Sequence, residues 1–286
     1  LWGSAFPCIK IGYRMLEIAA ADTASQILYA GYRFTLAGVL TIVLGSILQR
    51  KILLPKRSAI GKIGLLSLLQ TVLQYLFFYI GLAHTTGVKA SIIEAVSTFV
   101  AILVAGYLFH QETVTSRKML GCLIGFAGVV LVNVAGSGMD FHFSPAGDGC
   151  ILLSTVAYAF SSVCMKRFSQ KEDPVMLSGY QFILGGIVMI ACGAAMGGHL
   201  KAFTVSAAAL LIYMAMISAV AYSLWGVLLK YNPVSKVTVF GFMNPVIGVI
   251  LSALLLDETE ALGVSSVLAL GLVCVGIYIV NAKGKD

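Results

Sequence analysis

The chain has 286 residues, of which 59% are hydrophobic and only 11% charged, with a net charge of +7. An ordinary soluble domain carries roughly 25% charged residues, so this composition excludes a globule that covers itself with water-compatible surface. The basic residues sit in short loops bordering apolar runs, the pattern of a chain facing an anionic leaflet, which excludes nucleic acid as a partner.

Apolar runs of about 18 to 22 residues recur along the chain, the length that carries a helix across a hydrocarbon core of about 30 Å. They predict an all-α membrane protein of ten transmembrane helices. The spans fall at about 1–18, 27–48, 61–83, 89–109, 119–136, 148–167, 175–196, 206–229, 236–256 and 262–281. A β-barrel would alternate with period two instead, and the runs do not. The first run starts at Leu1 and is short, so the expectation is that a few residues and the outer turns of this helix are missing. No cleavable signal peptide is evident. Leu54-Pro55, Ser144-Pro145, Asp173-Pro174 and Asn232-Pro233 punctuate the loops.

Orientation follows from the loop charges. With a cytoplasmic N-terminus, the inner loops and tail hold fourteen Lys and Arg, among them Arg50, Lys51, Lys62, Arg117, Lys118, Lys166, Arg167 and Lys230. The outer loops then hold only Arg14, Lys89 and Lys201. Both termini are therefore expected inside, in a bacterial inner membrane.

One stretch occurs twice. Gln111-Glu112-Thr113 leads into an apolar run that ends at Gly128…Asn133, and Asp257-Glu258-Thr259 leads into one that ends at Gly276…Asn281. The Glu-Thr pairs are 146 residues apart and the endings 148. Gly31-Tyr32-Arg33-Phe34 aligns with Gly179-Tyr180-Gln181-Phe182 at 148, and Thr98-Phe99 with Asn244-Pro245 at 146. The chain therefore reads as two five-helix repeats, 1–136 and 147–282. Five spans is an odd number, so the second repeat enters the membrane from the opposite side. Inverted repeats exchange conformations about a central cavity, and their substrate site lies between them near the midplane. That geometry points to a transporter.

The Trp2-Gly3-Ser4…Lys10 opening, the early Arg33, the two Glu-Thr turns and the Gly-rich closing helices resemble the drug/metabolite transporter superfamily, most closely its EamA-like branch. The resemblance implies a ten-helix bundle, cytoplasmic termini, alternating access and export of a small metabolite. Branches of the superfamily handle amino acids, nucleosides, nucleotide-sugars, quaternary amines and riboflavin. The second half departs from the pattern, with Tyr158 where Trp2 would recur and Gln181 where Arg33 would.

Charges inside spans are costly and are functional candidates by default. Lys10, Arg33 and Glu94 qualify, all in the outer half of the first repeat. Arg33 is placed about six residues into its span, roughly 9 Å deep at the helical rise. Glu94 is expected to pair with Arg33 or Lys10, and as a buried carboxylate it is the candidate for proton coupling. Their counterparts are Lys166, Gln181 and Phe240; Lys166 is expected to snorkel or contact anionic lipid. Aromatics form a second group: Tyr79 and Trp225 recur at the 146 offset, with Tyr158 and Tyr222 in neighbouring spans, and such rings suit a flat or cationic solute. Pro245 frees a carbonyl near Gly241, beside the Asn244 amide. The Glu-Thr turns read as caps and hinges, and Gly121…Gly125 as a close-packing face between halves or between subunits.

Six cysteines without a C-x-x-C pair and four scattered histidines give no metal site, and no Walker loop is present. Neither a catalytic residue nor a cofactor is assigned. The leading expectation is a secondary transporter of a small polar organic metabolite, amino-acid-like or an amine, with membrane lipids as neighbours and a monomer or homodimer as its assembly. An importer or exchanger of an amine or nucleoside, and more remotely a membrane enzyme or lipid-linked-sugar flippase accessory, are the alternatives.

Overall fold

The structure is a computed structural model that describes residues 1–85, 87–134, 143–256 and 264–282. Among these residues there is no strand, and the helices fall into ten runs. They are α1 (Trp2–Met15), α2 (Thr23–Leu48), α3 (Arg57–Leu82), α4 (87–108), α5 (Ser116–Val134), α6 (Pro145–Ser169), α7 (Pro174–Ala195), α8 (Val205–Tyr231), α9 (234–256) and α10 (Val264–Asn281). Six of them, α2, α3, α4, α6, α7 and α8, are long and apolar enough to cross a membrane. The second Glu-Thr turn with Asp257 and Glu260, and His142, lie outside the described residues.

Several helices start earlier than their apolar runs because polar residues cap them. Asp22 accepts from Ser25 N at 3.0 Å, Asp173 from Val175 N and Met176 N, and Thr204 from Ala207 N. Pro174 occupies the first turn of α7, where its missing N–H costs nothing. The outward sides of the helices are apolar: Val39, Val43 and Ile47 on α2, Leu184 and Ile187 on α7, and Val220, Leu224 and Leu228 on α8 are exposed. Such a surface is stable only against lipid.

Glycine organises the interior. Gly31, Gly38 and Gly45 on α2 recur every seven residues, and so do Gly179, Gly186 and Gly193 on α7, at an offset of 148. The two helices run antiparallel with these stripes in contact. A Cβ on Gly38 would lie 2.6 Å from Gly179 O, and one on Gly31 would lie 3.0 Å from Gly186 O. At the other side of the molecule α5 and α10 meet in the same manner, a Cβ on Gly121 falling 2.9 Å from Gly276 O and one on Gly128 2.7 Å from Ala269 O. The Gly121 face thus packs between halves. Three further pairings follow suit: α1 with α9 is matched by α6 with α4, α1 with α8 by α6 with α3, and α2 with α8 by α7 with α3. These pairings are unchanged when the two halves are exchanged.

The fourth helix of each half is interrupted at the same depth. Helix α4 breaks at Val96, and α9 passes through a 3₁₀ turn, Val239–Phe242, before Pro245. A proline ring clashes with the carbonyl four residues earlier, at Gly241, which accounts for the tightened turn. Across the interruption Thr98 Oγ1 donates to Thr238 O at 3.1 Å.

The first Glu-Thr turn caps a helix of the opposite half and not its own. The Glu112 carboxylate, 4% exposed, accepts from Ser235 N at 2.9 Å and Ser235 Oγ at 2.6 Å on α9, and from Lys118 Nζ at 2.9 Å. Charge-assisted hydrogen bonds of this kind contribute about 1.5–3 kcal/mol each. Glu112→Ala is expected to destabilise the protein by about 2 kcal/mol or more, read as a lower melting temperature in detergent. Glu112→Gln, which keeps an acceptor for Ser235, should fall between the two.

A second tie at the same end joins α3 to the start of α7. Lys62 Nζ lies 2.6 Å from Glu172 Oε1, with Ser58 Oγ donating at 3.4 Å. The Lys62 ammonium, hydrogen-bonded to it, holds the Glu172 carboxyl below the usual carboxylate range. A lowered folded-state value means that the pair stabilises the fold above the unfolded carboxyl pKa of about 4.3 and is lost as pH falls through the folded value. The gap in melting temperature between the parent and Glu172→Gln is expected to be present at pH 7 and to close on acidification. A gap independent of pH would show that the pair contributes nothing.

Candidate functional site

Equivalent residues of the two halves meet at mid-depth. Phe34 on α2 and Phe182 on α7 stack with ring centres 5.3 Å apart and planes inclined by only 9°. Tyr75 and Tyr222, 147 residues apart, share a hydroxyl hydrogen bond of 3.0 Å. Arg33 is next to Phe34, its guanidinium 5.0 Å from that ring, and donates to Ser218 Oγ from Nε at 3.2 Å and from Nη2 at 3.0 Å. Gln181 is next to Phe182 and its Oε1 accepts from Thr71 Oγ1 at 2.6 Å. Ser218 and Thr71 are again 147 apart. Each half therefore offers its hydroxyl to the other half's polar residue, a cation in one case and an amide in the other.

Arg33 is deeper than its apolar run indicates. Helix α2 begins at its Asp22 cap, so Arg33 is ten residues in, about 15 Å along the axis. Ser218 is thirteen residues from either end of α8. The guanidinium is 4% exposed and lies within electrostatic reach of Tyr29, Tyr75, Tyr79 and Tyr222. No carboxylate lies within ion-pair distance of it among the described residues. The expected pairing of Glu94 with Arg33 is therefore not formed among the described residues: a serine hydroxyl takes the guanidinium.

Glu94 occupies the last turn before the break in α4. It is deep in the molecule yet keeps accessible surface, as do Tyr75 and Tyr158, which is how side chains lining an internal space behave. Tyr158 and Tyr222 both lie within electrostatic reach of its carboxylate. Tyr222 is thus within electrostatic reach of both Arg33 and Glu94. Trp2 closes this space toward the lysine-rich end, with its ring 4.9 Å from both Tyr222 and Trp225. Tyr158 lies 6.4 Å from Trp225 on another side. Trp2 and Tyr158, read as equivalents, converge on the same indole.

Buried polar atoms without partners mark the same region. Trp225 Nε1, Gln181 Nε2, Gln74 Oε1 and both amide atoms of Gln70 find no hydrogen-bond partner among the described residues. Each such atom costs about 1–3 kcal/mol if it stays unpaired, so water or a polar solute that reached them would be stabilised there. Gln70 belongs to a π-helical stretch, Ser67–Leu73, that widens α3. π-turns are frequent at functional sites, and this one also carries Thr71.

The other expected residues spread out. Tyr79 is 3% exposed and packs on Tyr75 and Phe78. Asn244 is half-buried at the start of the continuous part of α9. Lys166 donates its Nζ to Leu229 O and Asn232 O, sealing the end of α8. Gln70 and Ser218 are legible in the sequence only as polar residues within spans, with hydrogen-bond capacity and no assigned partner, and Thr71 and Asp148 are not singled out there. Asp148, 3% exposed, bonds Thr85 Oγ1 and Ser144 N and faces Lys89 at 3.8 Å. Its signal is an acidic residue three positions after Pro145, in the first turn of α6. Among the described residues no cluster of His, Cys, Asp or Glu could hold a metal.

The sequence profile of the EamA-like transporter family matches residues 1–134 and 145–282. A transporter of Archaeoglobus fulgidus, described as uncharacterized, is 29% identical over 291 residues, covering 99% of this chain and 95% of that protein. YvbV of Bacillus subtilis, an uncharacterized transporter, is 26% identical and covers 100% and 89%. YedA of Escherichia coli K12, an uncharacterized inner membrane transporter, is 28% identical and covers 99% and 90%. A solved protein crystal structure superposes with a TM-score of 0.77 at 15% identity, covering 98% of this chain and 94% of that one, which is a likeness of fold. The chain belongs to the EamA-like transporter family and is a membrane transporter.

Proposed function

We propose that this transporter moves a small zwitterionic, amino-acid-like metabolite across the inner membrane by alternating access, with export as its working direction. The observation that carries the reading is that Arg33 and Glu94 serve one aromatic-walled space without pairing with each other. A buried guanidinium and a buried carboxylate are each expensive in a bilayer unless a partner arrives. A solute with its own carboxylate and ammonium satisfies both. The tyrosines and Trp225 supply faces for its carbon skeleton and its cation.

The ten helices then span as two inverted repeats, 1–136 and 147–282. The interrupted α4 and α9 frame the substrate, as discontinuous helices do in other carriers. Export follows from the habit of the superfamily that the sequence resembles. The lysine and arginine distribution supports cytoplasmic termini, and the inner-membrane relative supports the compartment. A reading as an enzyme has no support from relatives named as transporters.

Counterflow in proteoliposomes with a panel of amino acids, amines and nucleosides tests the reading. Saturable exchange is expected for amino acids and not for their decarboxylated amines. Amines exchanging as well as the parent amino acids would remove the carboxylate from the substrate. Glu94→Gln, measured with and without a pH gradient, is expected to slow uptake at least about tenfold, the loss of roughly one charge-assisted contact, and to abolish the pH response. Unchanged uptake and unchanged pH dependence would take Glu94 out of the mechanism.

A further inference from the structure

At the lysine-rich end a cleft of about 720 Å³ opens on the seam between the halves. The end of α4 and the turn after it supply Leu108, Phe109 and Gln111, and the ends of α6 and α8 supply Arg167, Gln170 and Lys230. Hydrogen bonds hold its walls. Gln170 Nε2 donates to Lys230 O at 2.9 Å and Gln111 Nε2 to Val163 O at 3.3 Å. Three cations face the cleft, and only one is engaged by hydrogen bonds. Lys166 seals the α8 carbonyls, whereas Arg167 lies 5.8 Å over the Phe109 ring and Lys230 5.6 Å over Tyr231. Neither has a carboxylate within ion-pair distance among the described residues. Glu112, within electrostatic reach of Lys166, is committed to Lys118 and Ser235. Beside the cleft the surface is greasy: Tyr107, Leu108, Leu224, Leu228 and Tyr231 are all exposed.

We infer that this cleft binds a phosphate group, supplied by the headgroup of an anionic glycerophospholipid whose acyl chains lie along the exposed faces of α4 and α8. Two unpaired cations at a helix seam suit a phosphodiester. An aqueous ligand would have no use for the adjoining apolar strip. Because the walls come from both halves, a bound headgroup fastens the seam at this end.

The test uses the full chain purified in neutral detergent, titrated with phosphatidylglycerol or with phosphatidylcholine of the same acyl chains, and read by melting temperature and by lipid retention in native mass spectrometry. Phosphatidylglycerol is expected to raise the melting temperature and to be retained where phosphatidylcholine is not. Arg167→Gln and Lys230→Gln are each expected to weaken retention about fivefold, and Lys51→Gln, on another loop of the same end, to leave it unchanged. A shift reproduced by millimolar inorganic phosphate without lipid would keep the phosphate site and assign it a soluble ligand. Equal responses of the parent protein to the two lipids would overturn the proposal whatever the variants do. So would Lys51→Gln weakening retention as much as Lys230→Gln.

Discussion

Alanine at Gly38 or Gly186 is expected to prevent the two halves from assembling, while alanine at Gly64 leaves the protein folded. The difference is what each new methyl meets. At Gly38 it would lie 2.6 Å from Gly179 O and 2.7 Å from Ile183 N, and at Gly186 2.5 Å from Thr35 N, all backbone atoms that cannot rotate away. At Gly64 nothing lies within 4 Å. Overpacking an apolar core costs about 1–3 kcal/mol when side chains can move, and here α2 and α7 would have to separate along their length. Helix association in a membrane relies on close packing without a hydrophobic drive, so separation forfeits the contact that makes the site. Membrane-extracted yield and melting temperature read the outcome. Gly38→Ala protein as stable as the parent would mean that the glycine stripe does not set the distance between halves. Ile183→Ala should not rescue Gly38→Ala, because the Gly179 carbonyl remains.

The second large effect is expected at Arg33, where stability and transport should move in opposite directions. Arg33→Met removes a buried cation whose partners are one hydroxyl and one ring. Replacing a buried, incompletely compensated charge by an apolar side chain of similar length is often neutral or stabilising, so the melting temperature is expected to hold or rise. Transport should fall by about 10- to 100-fold, the loss of a charge-assisted contact of about 1.5–3 kcal/mol. Arg33→Lys should restore part of it. A destabilised variant whose residual transport is normal per folded molecule would mark Arg33 as a structural clamp.

Much of the architecture was legible because membrane helices announce themselves by apolar length and duplicated halves by a constant offset. The helix starts were less so, since caps such as Asp22 and Asp173 extend helices beyond their apolar runs. That is why Arg33 reads as six residues deep and stands ten deep. The partners in the site were hidden by register. Alignment at 148 pairs Arg33 with Gln181 but does not pair Thr71 with Ser218, which stand 147 apart. Helix α3 contains a π-helical stretch and α8 does not, and a π-turn adds a residue without adding a turn. Glu112 was legible as a cap, but its target, Ser235, is 123 residues away and no local pattern connects them.

The unequal pair at the centre has an energetic consequence. On the alternating-access reading, two identical halves would give inward- and outward-facing forms of equal free energy. Arg33 on Ser218 and Gln181 on Thr71 are not of equal strength, so the empty carrier has a preferred side. A difference of 1.4 kcal/mol already makes that preference tenfold. The substrate gradient still decides which way net flux runs. The asymmetry decides where the carrier waits, and therefore on which side of the membrane a substrate finds an open site first.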